Sequence, residues 1–111
     1  MEFNAKHKYA KIAARKARPV VDLIRGKDVD EALQILRRTK KRASYMVDKV
    51  LRSAVANADE SLEADMENLW VKEITVDEGP TRERYRPRAR GRATPERRRT
   101  SHINVVLDDE R

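Results

Sequence analysis

The sequence predicts an α+β protein: a small antiparallel sheet packed against three helices, with a long β-hairpin protruding from it. Three observations carry this expectation. Apolar residues recur at helical spacing in three successive segments between Arg15 and Ala58. Apolar, β-branched strands stand at Leu69 to Val76 and at Ser101 to Leu107. Between those strands lies a stretch whose only sizeable apolar side chain is Tyr85 and in which every second residue from Arg82 to Arg92 is arginine. The order strand, three helices, hairpin implies a sheet covered by helices on one face.

The opening segment from Phe3 to Ile12 alternates loosely, with Phe3, Ala5, His7 and Tyr9 on one side, and is expected as an edge strand. Arg15 to Arg25 switches to helical spacing, with Ala17, Val20, Val21 and Ile24 on one face and Gly26 placed to end the helix. Pro19 falls beyond the free first turn, so a kink or a later start is expected there. Asp28-x-x-Glu31 has the form of a capping box opening a second helix, with Val29, Ala32, Leu33 and Leu36 on its buried stripe and its end near Thr39. The third helix repeats the pattern for four turns through Ala43, Met46, Val47, Val50, Leu51, Ala54, Val55 and Ala58. Residues 59–67 are acidic and polar and read as a solvated loop.

At 111 residues the chain predicts a single domain, with a globular body of residues 1–78 plus 102–111 and a basic β-hairpin arm of residues 79–101. Charged residues make up 41% and aromatics 5%, leaving a thin core. The absence of cysteine excludes a disulfide framework and a thiolate metal site. Neither a signal-peptide apolar region nor a run approaching the ~18 apolar residues of a membrane span is present, so a cytoplasmic protein is expected.

The arm concentrates the charge. Residues 82–99 hold nine arginines (Arg82, Arg84, Arg86, Arg88, Arg90, Arg92, Arg97, Arg98, Arg99) against Glu83 and Glu96, a surplus of +7 that equals the net charge of the whole chain. On an extended strand the first six would line one face. If Val76 pairs near Ile103, the midpoint falls next to Gly91, whose freedom to take positive φ suits a tip of Arg88-Ala89-Arg90-Gly91-Arg92. From Gly79 to that tip is about a dozen residues, or roughly 40 Å extended, against a radius of gyration of about 13 Å for a compact domain of this length. A disordered basic tail is the competing reading, but the two bracketing strands favour a hairpin. Its natural partner is a polyanion with closely spaced phosphates.

Catalytic and metal chemistry fail on inventory. His7 and His102 are the only histidines, Ser101 and His102 would point to opposite faces of a strand, and three glycines form no phosphate-binding loop. Asp108-Asp109-Glu110 reads as a solvated tail. A helix-turn-helix across Thr39-Lys40 is disfavoured by the mixed charge of the third helix's outer face, although Arg37, Arg38, Lys40, Lys41 and Arg42 form a basic run able to contact phosphates. A protein-interaction module gripping an acidic partner is the other class that the arm permits.

Five segments resemble a known family: Arg15-Lys16-Ala17-Arg18 leading into Val21 to Lys27; Ser53-Ala54-Val55-Ala56-Asn57-Ala58; Val76 to Pro80; Arg86 to Ala93; and Arg99 to Ile103. Together they are similar, nearly end to end, to the bacterial form of large-subunit ribosomal protein L-twenty-two. The resemblance implies binding to large-subunit rRNA, a part in early subunit assembly, neighbouring ribosomal proteins as partners, and a body near the outer mouth of the nascent-chain exit tunnel. It further implies a tip, Arg88, Ala89, Arg90, Gly91, Arg92 and Ala93, that lines the tunnel and meets the nascent polypeptide. No cofactor, metal, membrane or homo-oligomeric partner is expected. Lys6, Lys8, Arg15, Lys16 and Arg18 are expected to add rRNA contacts from the body to those of the nine arm arginines. The chain departs from the family at Ala14, where proline is usual, at Pro19, where leucine is usual, and at Thr94-Pro95-Glu96, which lowers the positive charge of the returning strand. Arginine suits the task because its plane can bridge two phosphate oxygens or stack on a base. An arm without its own core is expected to gain order as RNA packs around it.

Overall fold

Helix α3 (Arg42–Glu60) is the spine of the body, because its stripe of Ala43, Val47, Val50, Leu51, Ala54 and Ala58 is buried along the whole length that the spacing predicts. The computed structural model describes residues 1–87, 89–91 and 93–110. Before α3 come strand β1 (Glu2–Ala10) and helices α1 (Ala14–Ile24) and α2 (Val29–Arg38); after it come β2 (Trp70–Glu78), β3 (Arg82–Pro87), β4 (Ala93–Arg98) and β5 (Ser101–Asp108). The strands form two antiparallel sheets, one ordered β1-β5-β2 and a separate pair β3-β4.

The core lies between the helices and one face of the three-stranded sheet. Strand β5 is central and contributes Ile103, Val105 and Leu107, each essentially fully buried, while Phe3 and Ala5 come from β1 and Val71, Ile74 and Val76 from β2. Ala17, Ala32, Ala54 and Ala58 have no exposed surface, so these small side chains let the helices close on one another and on the sheet. Burying one side chain such as Leu51 or Ile74 contributes about 1.5–3 kcal/mol.

Both edges of this sheet are covered by helix side chains that take up backbone carbonyls. Arg25, just past the end of α1, donates to the Ile74 carbonyl (2.9 Å) and Arg18 of α1 to the Val76 carbonyl (3.2 Å), while Asn57 of α3 donates to the Asn4 carbonyl (2.8 Å). An edge strand with its carbonyls occupied is a poor template for pairing with another chain.

Four expectations need correction. The first strand stops alternating at Tyr9, which adopts φ 59°; a register irregularity between His7 and Ala10 turns Tyr9 to solvent and buries Ala10 instead. Of the two outcomes expected at Pro19, the later start does not occur: helix α1 starts at Ala14 and runs through Pro19, with Ile12, Ala14 and Ala17 buried around its first turn. Proline's missing N–H leaves the exposed Arg15 without its helical bond, and water can serve that carbonyl. Asp28 stands at the N-cap of α2 but makes no side-chain cap bond; Glu31 instead lies 3.9 Å from Lys27. The acidic stretch after α3 is not all loop, since the helix reaches Glu60 and a 3-10 turn spans Met66–Asn68. Gly26 does end α1 in the left-handed region, at φ 79°.

Candidate nucleic-acid interface

The arm grows out of the body sheet across a joint. Val76 pairs with Ile103, the pairing that puts the hairpin midpoint next to Gly91, and this register runs to Glu78 opposite Ser101. Beyond the joint Arg82 pairs with Arg98, one residue out of step, with three residues on the outgoing side and two on the return. At the joint the Gly79 N–H donates to the Thr100 carbonyl (2.9 Å) and the Thr100 hydroxyl donates to the Pro80 carbonyl (2.7 Å). Glycine is required here by crowding: a Cβ on Gly79 would sit 2.6 Å from Thr100 Oγ1 and 3.3 Å from His102. His102 in turn accepts the Tyr9 N–H on Nδ1 (3.0 Å) and meets the Tyr9 ring edge to face at 5.0 Å.

Strands β3 and β4 then pair continuously from Arg82↔Arg98 to Pro87↔Ala93, with Tyr85 opposite Pro95. The Thr94-Pro95-Glu96 departure therefore leaves the backbone register intact. Arg90 (φ 65°) and Gly91 (φ 69°) both take left-handed conformations in the turn Ala89–Gly91. Glycine takes this freely, whereas arginine there costs about 1–2 kcal/mol. The molecule measures 63 × 24 × 18 Å with a radius of gyration of 17.1 Å, well above the roughly 13 Å of a compact chain of this length. Expectations placed on Arg88 and Arg92 lie outside the described residues, as do those on the side chains of Arg84, Arg86, Ala89 and Ala93.

At the root of the arm lies a cleft of about 1010 Å³. Lys11, Lys16, Lys41 and Arg42 line it from the body, and Arg82, Arg97, Arg98 and Arg99 line it from the arm. No acidic residue lines it among the described residues, and its apolar surface comes from Tyr9, Ile12, Ala13, Pro19, Ala43 and Pro80. A second hollow of about 460 Å³, which shares Ala13, Arg97, Arg99 and Thr100 with the cleft, adds Arg15, Glu78 and Glu83; Glu83 and Arg97 approach to 4.0 Å across the hairpin.

The anticipated body cations thus separate. Lys16 faces the cleft and Arg15 the smaller hollow, Arg18 is engaged with β2, and Lys6 and Lys8 are exposed on β1 outside both concavities. Sequence reasoning gave no role to Lys11, and it weighed Lys41 and Arg42 only as part of a surface run. No periodicity signals that the start of α3 and the root of the arm line one cleft. On the outer face of α3, Arg52 pairs with Asp48 (2.9 Å) and Lys49 lies 4.7 Å from the Tyr45 ring centre, so these cations are already engaged.

The opposite end of the sheet carries a different electrostatic arrangement. Asp108 and Asp109 are not a solvated tail: Asp108 is buried and both approach the Met1 ammonium, at 3.4 and 3.0 Å. The Asp109 carboxylate accepts the Asp65 N–H, which together with the ammonium lowers its pKa from the ordinary 3.8. Asp108 is lowered by the Glu110 N–H and the same ammonium, with Lys72 contributing. The Met1 amine is raised by Asp109, and Lys72 by Glu2. Among the described residues no group of three or more His, Cys, Asp or Glu side chains is placed to hold a metal ion.

A small α+β body whose surplus positive charge lies on a protruding hairpin, with further cations in a cleft at its root, is an arrangement suited to a polyanion-binding scaffold protein. Residues 5–108 match the family described as ribosomal protein L22p/L17e, and the chain belongs to that family. Two relatives are both named large ribosomal subunit protein uL22. That of Carboxydothermus hydrogenoformans is 58% identical over 107 residues, covering 96% of this chain and 95% of its own. That of Pelotomaculum thermopropionicum is 56% identical over 111 residues, covering 100% and 98%.

Proposed function

We propose that this chain is a structural, non-catalytic protein of the cytoplasmic large ribosomal subunit, where it binds rRNA, supports early assembly and contacts neighbouring ribosomal proteins. In this reading the arm threads between rRNA segments, the stem arginines neutralise phosphates, and the tip from Arg88 to Ala93 faces the nascent polypeptide in the exit tunnel. The observation that carries it is the separation of parts: a neutral body with its own core, and a hairpin without one that holds the entire charge surplus and extends the molecule to 63 Å. The names of the two relatives support the subunit assignment.

Binding to large-subunit rRNA across a salt series tests this. Replacing Arg82, Arg84 and Arg86 with alanine should weaken binding and flatten the dependence of log K on log salt by roughly 0.7 per lost phosphate contact. An unchanged slope would exclude the stem as the phosphate-binding element.

A further inference from the structure

We propose that the cleft at the arm's root is a binding site for a short unpaired RNA segment, with phosphates on its cationic walls and a base against Tyr9. The inference rests on the RNA-binding reading above and adds a site formed jointly by body and arm.

The first support is uncompensated charge. The side chains of Lys11, Lys16, Lys41 and Arg42 make no ion pair or hydrogen bond among the described residues, and neither do those of Arg82 and Arg99 across the cleft. Folding brings these like charges onto one concave surface, which opposes the compact state unless an anion offsets it. Some cations elsewhere on the body are paired, as at Arg25 with Asp22 (2.6 Å) and Arg52 with Asp48, and others such as Lys6 and Lys8 stand apart on exposed surface; in the cleft the unpaired cations converge.

The backbone adds to the same field. Helices α1 and α3 both begin at this cleft, neither has a side-chain cap, and neither carries an acid in its first turn. Helix α2, whose start does not line the cleft, carries Asp30 and Glu31 in its first turn. Positive helix ends thus reinforce the cationic walls only where the cleft lies.

Shape and the apolar surface choose among polyanions. A cleft of about 1010 Å³ exceeds what one phosphate needs and matches the upper end of ligand-sized cavities, about 300–1,000 Å³. Tyr9 is 60% exposed and sits in a left-handed conformation fixed by His102, an arrangement that costs energy and presents an aromatic ring at the cleft. Unpaired bases stack on such rings, whereas a duplex offers a protein mainly phosphates and ribose.

Two variants of the full chain test this without disturbing the fold. Lys41→Ser with Arg42→Ala removes two cations while giving α3 a favoured N-cap and a good helix former. Tyr9→Asn removes the ring but tolerates the left-handed backbone. Fluorescence anisotropy would compare a four-nucleotide single-stranded RNA, an RNA duplex, inorganic tripolyphosphate and large-subunit rRNA. The proposal expects tighter binding of the single strand than of the duplex. It expects roughly tenfold weakening of the single strand by the Lys41/Arg42 variant. It also expects a loss of roughly five- to hundredfold for Tyr9→Asn with the single strand but not with tripolyphosphate. Unchanged single-strand affinity in the Lys41/Arg42 variant would overturn it, as would equal losses for RNA and tripolyphosphate in Tyr9→Asn. If rRNA still binds with its arm-dependent salt slope, only this inference fails; if the unaltered chain does not bind rRNA, the functional reading fails with it.

Discussion

Gly79→Ala probes the joint from which the arm leaves the body. The added Cβ would lie 2.6 Å from Thr100 Oγ1 and 3.3 Å from the His102 ring. Thr100 cannot turn aside freely, because its hydroxyl is bonded to the Pro80 carbonyl and its own carbonyl accepts the Gly79 N–H. Relief therefore breaks the hydroxyl bond, at about 0.5–1.5 kcal/mol, or moves packed backbone, at about 1–3 kcal/mol. The cheaper route sets the cost, so a destabilisation of about 0.5–1.5 kcal/mol is expected, read as a lower denaturant midpoint at unchanged m. Thr100→Ala removes the obstructing atom together with its bond to Pro80, so the double variant should be about as stable as Thr100→Ala alone and the two substitutions are expected to be non-additive. A Gly79→Ala protein as stable as the original, or a double variant that sums the two single effects, would refute the crowding argument.

Ser101→Ala should raise stability by about 1 kcal/mol in denaturant unfolding, since the Ser101 hydroxyl is fully buried with no hydrogen-bond partner among the described residues. Arg25→Met should lower stability by about 1 kcal/mol and promote self-association detectable by light scattering, because it leaves the Ile74 carbonyl open on the β2 edge. Acid should weaken the fold through Asp108 and Asp109. Their folded pKa values are lowered from 3.8, so the unfolded chain takes up protons first and their contribution, complete above 3.8, is lost as pH falls through the folded values. Asp109→Asn should shrink the acid-induced drop in melting temperature, and an identical drop in that variant would show that the Asp109 contacts with Met1 and Asp65 contribute nothing.

What was legible in the sequence was what a period or a pairing distance encodes. The α3 stripe follows from eight apolar residues at 3.6 spacing, and the Val76–Ile103 register follows from two apolar strands and a glycine near their midpoint. The arm itself was legible because arginines recur at period two where nothing apolar could form a core. Features set by tertiary geometry were not. The left-handed Tyr9 depends on a partner, His102, far along the chain, and an exposed tyrosine in an alternating strand gives no sign of a bulge. The Asp28/Glu31 pattern placed the start of α2 correctly but not the side-chain bond, since Lys27 offered Glu31 another partner. Asp108 and Asp109 read as a tail because their partners, Met1 and Asp65, come from other elements. The root cleft was hidden for the same reason: Lys41 and Arg98 belong to separate runs that only the packed fold brings together.

The most direct test of the arm's function is a photo-crosslinker at position 90, carried into large subunits of translating ribosomes. The turn formed by Arg90 and Gly91 is the far end of the hairpin. The account predicts crosslinks from this position to nascent polypeptide as well as to rRNA, with subunit assembly preserved. Crosslinks confined to rRNA in ribosomes that carry a nascent chain past the tunnel would contradict it, because the tip would then be an anchor buried in RNA rather than part of the tunnel wall.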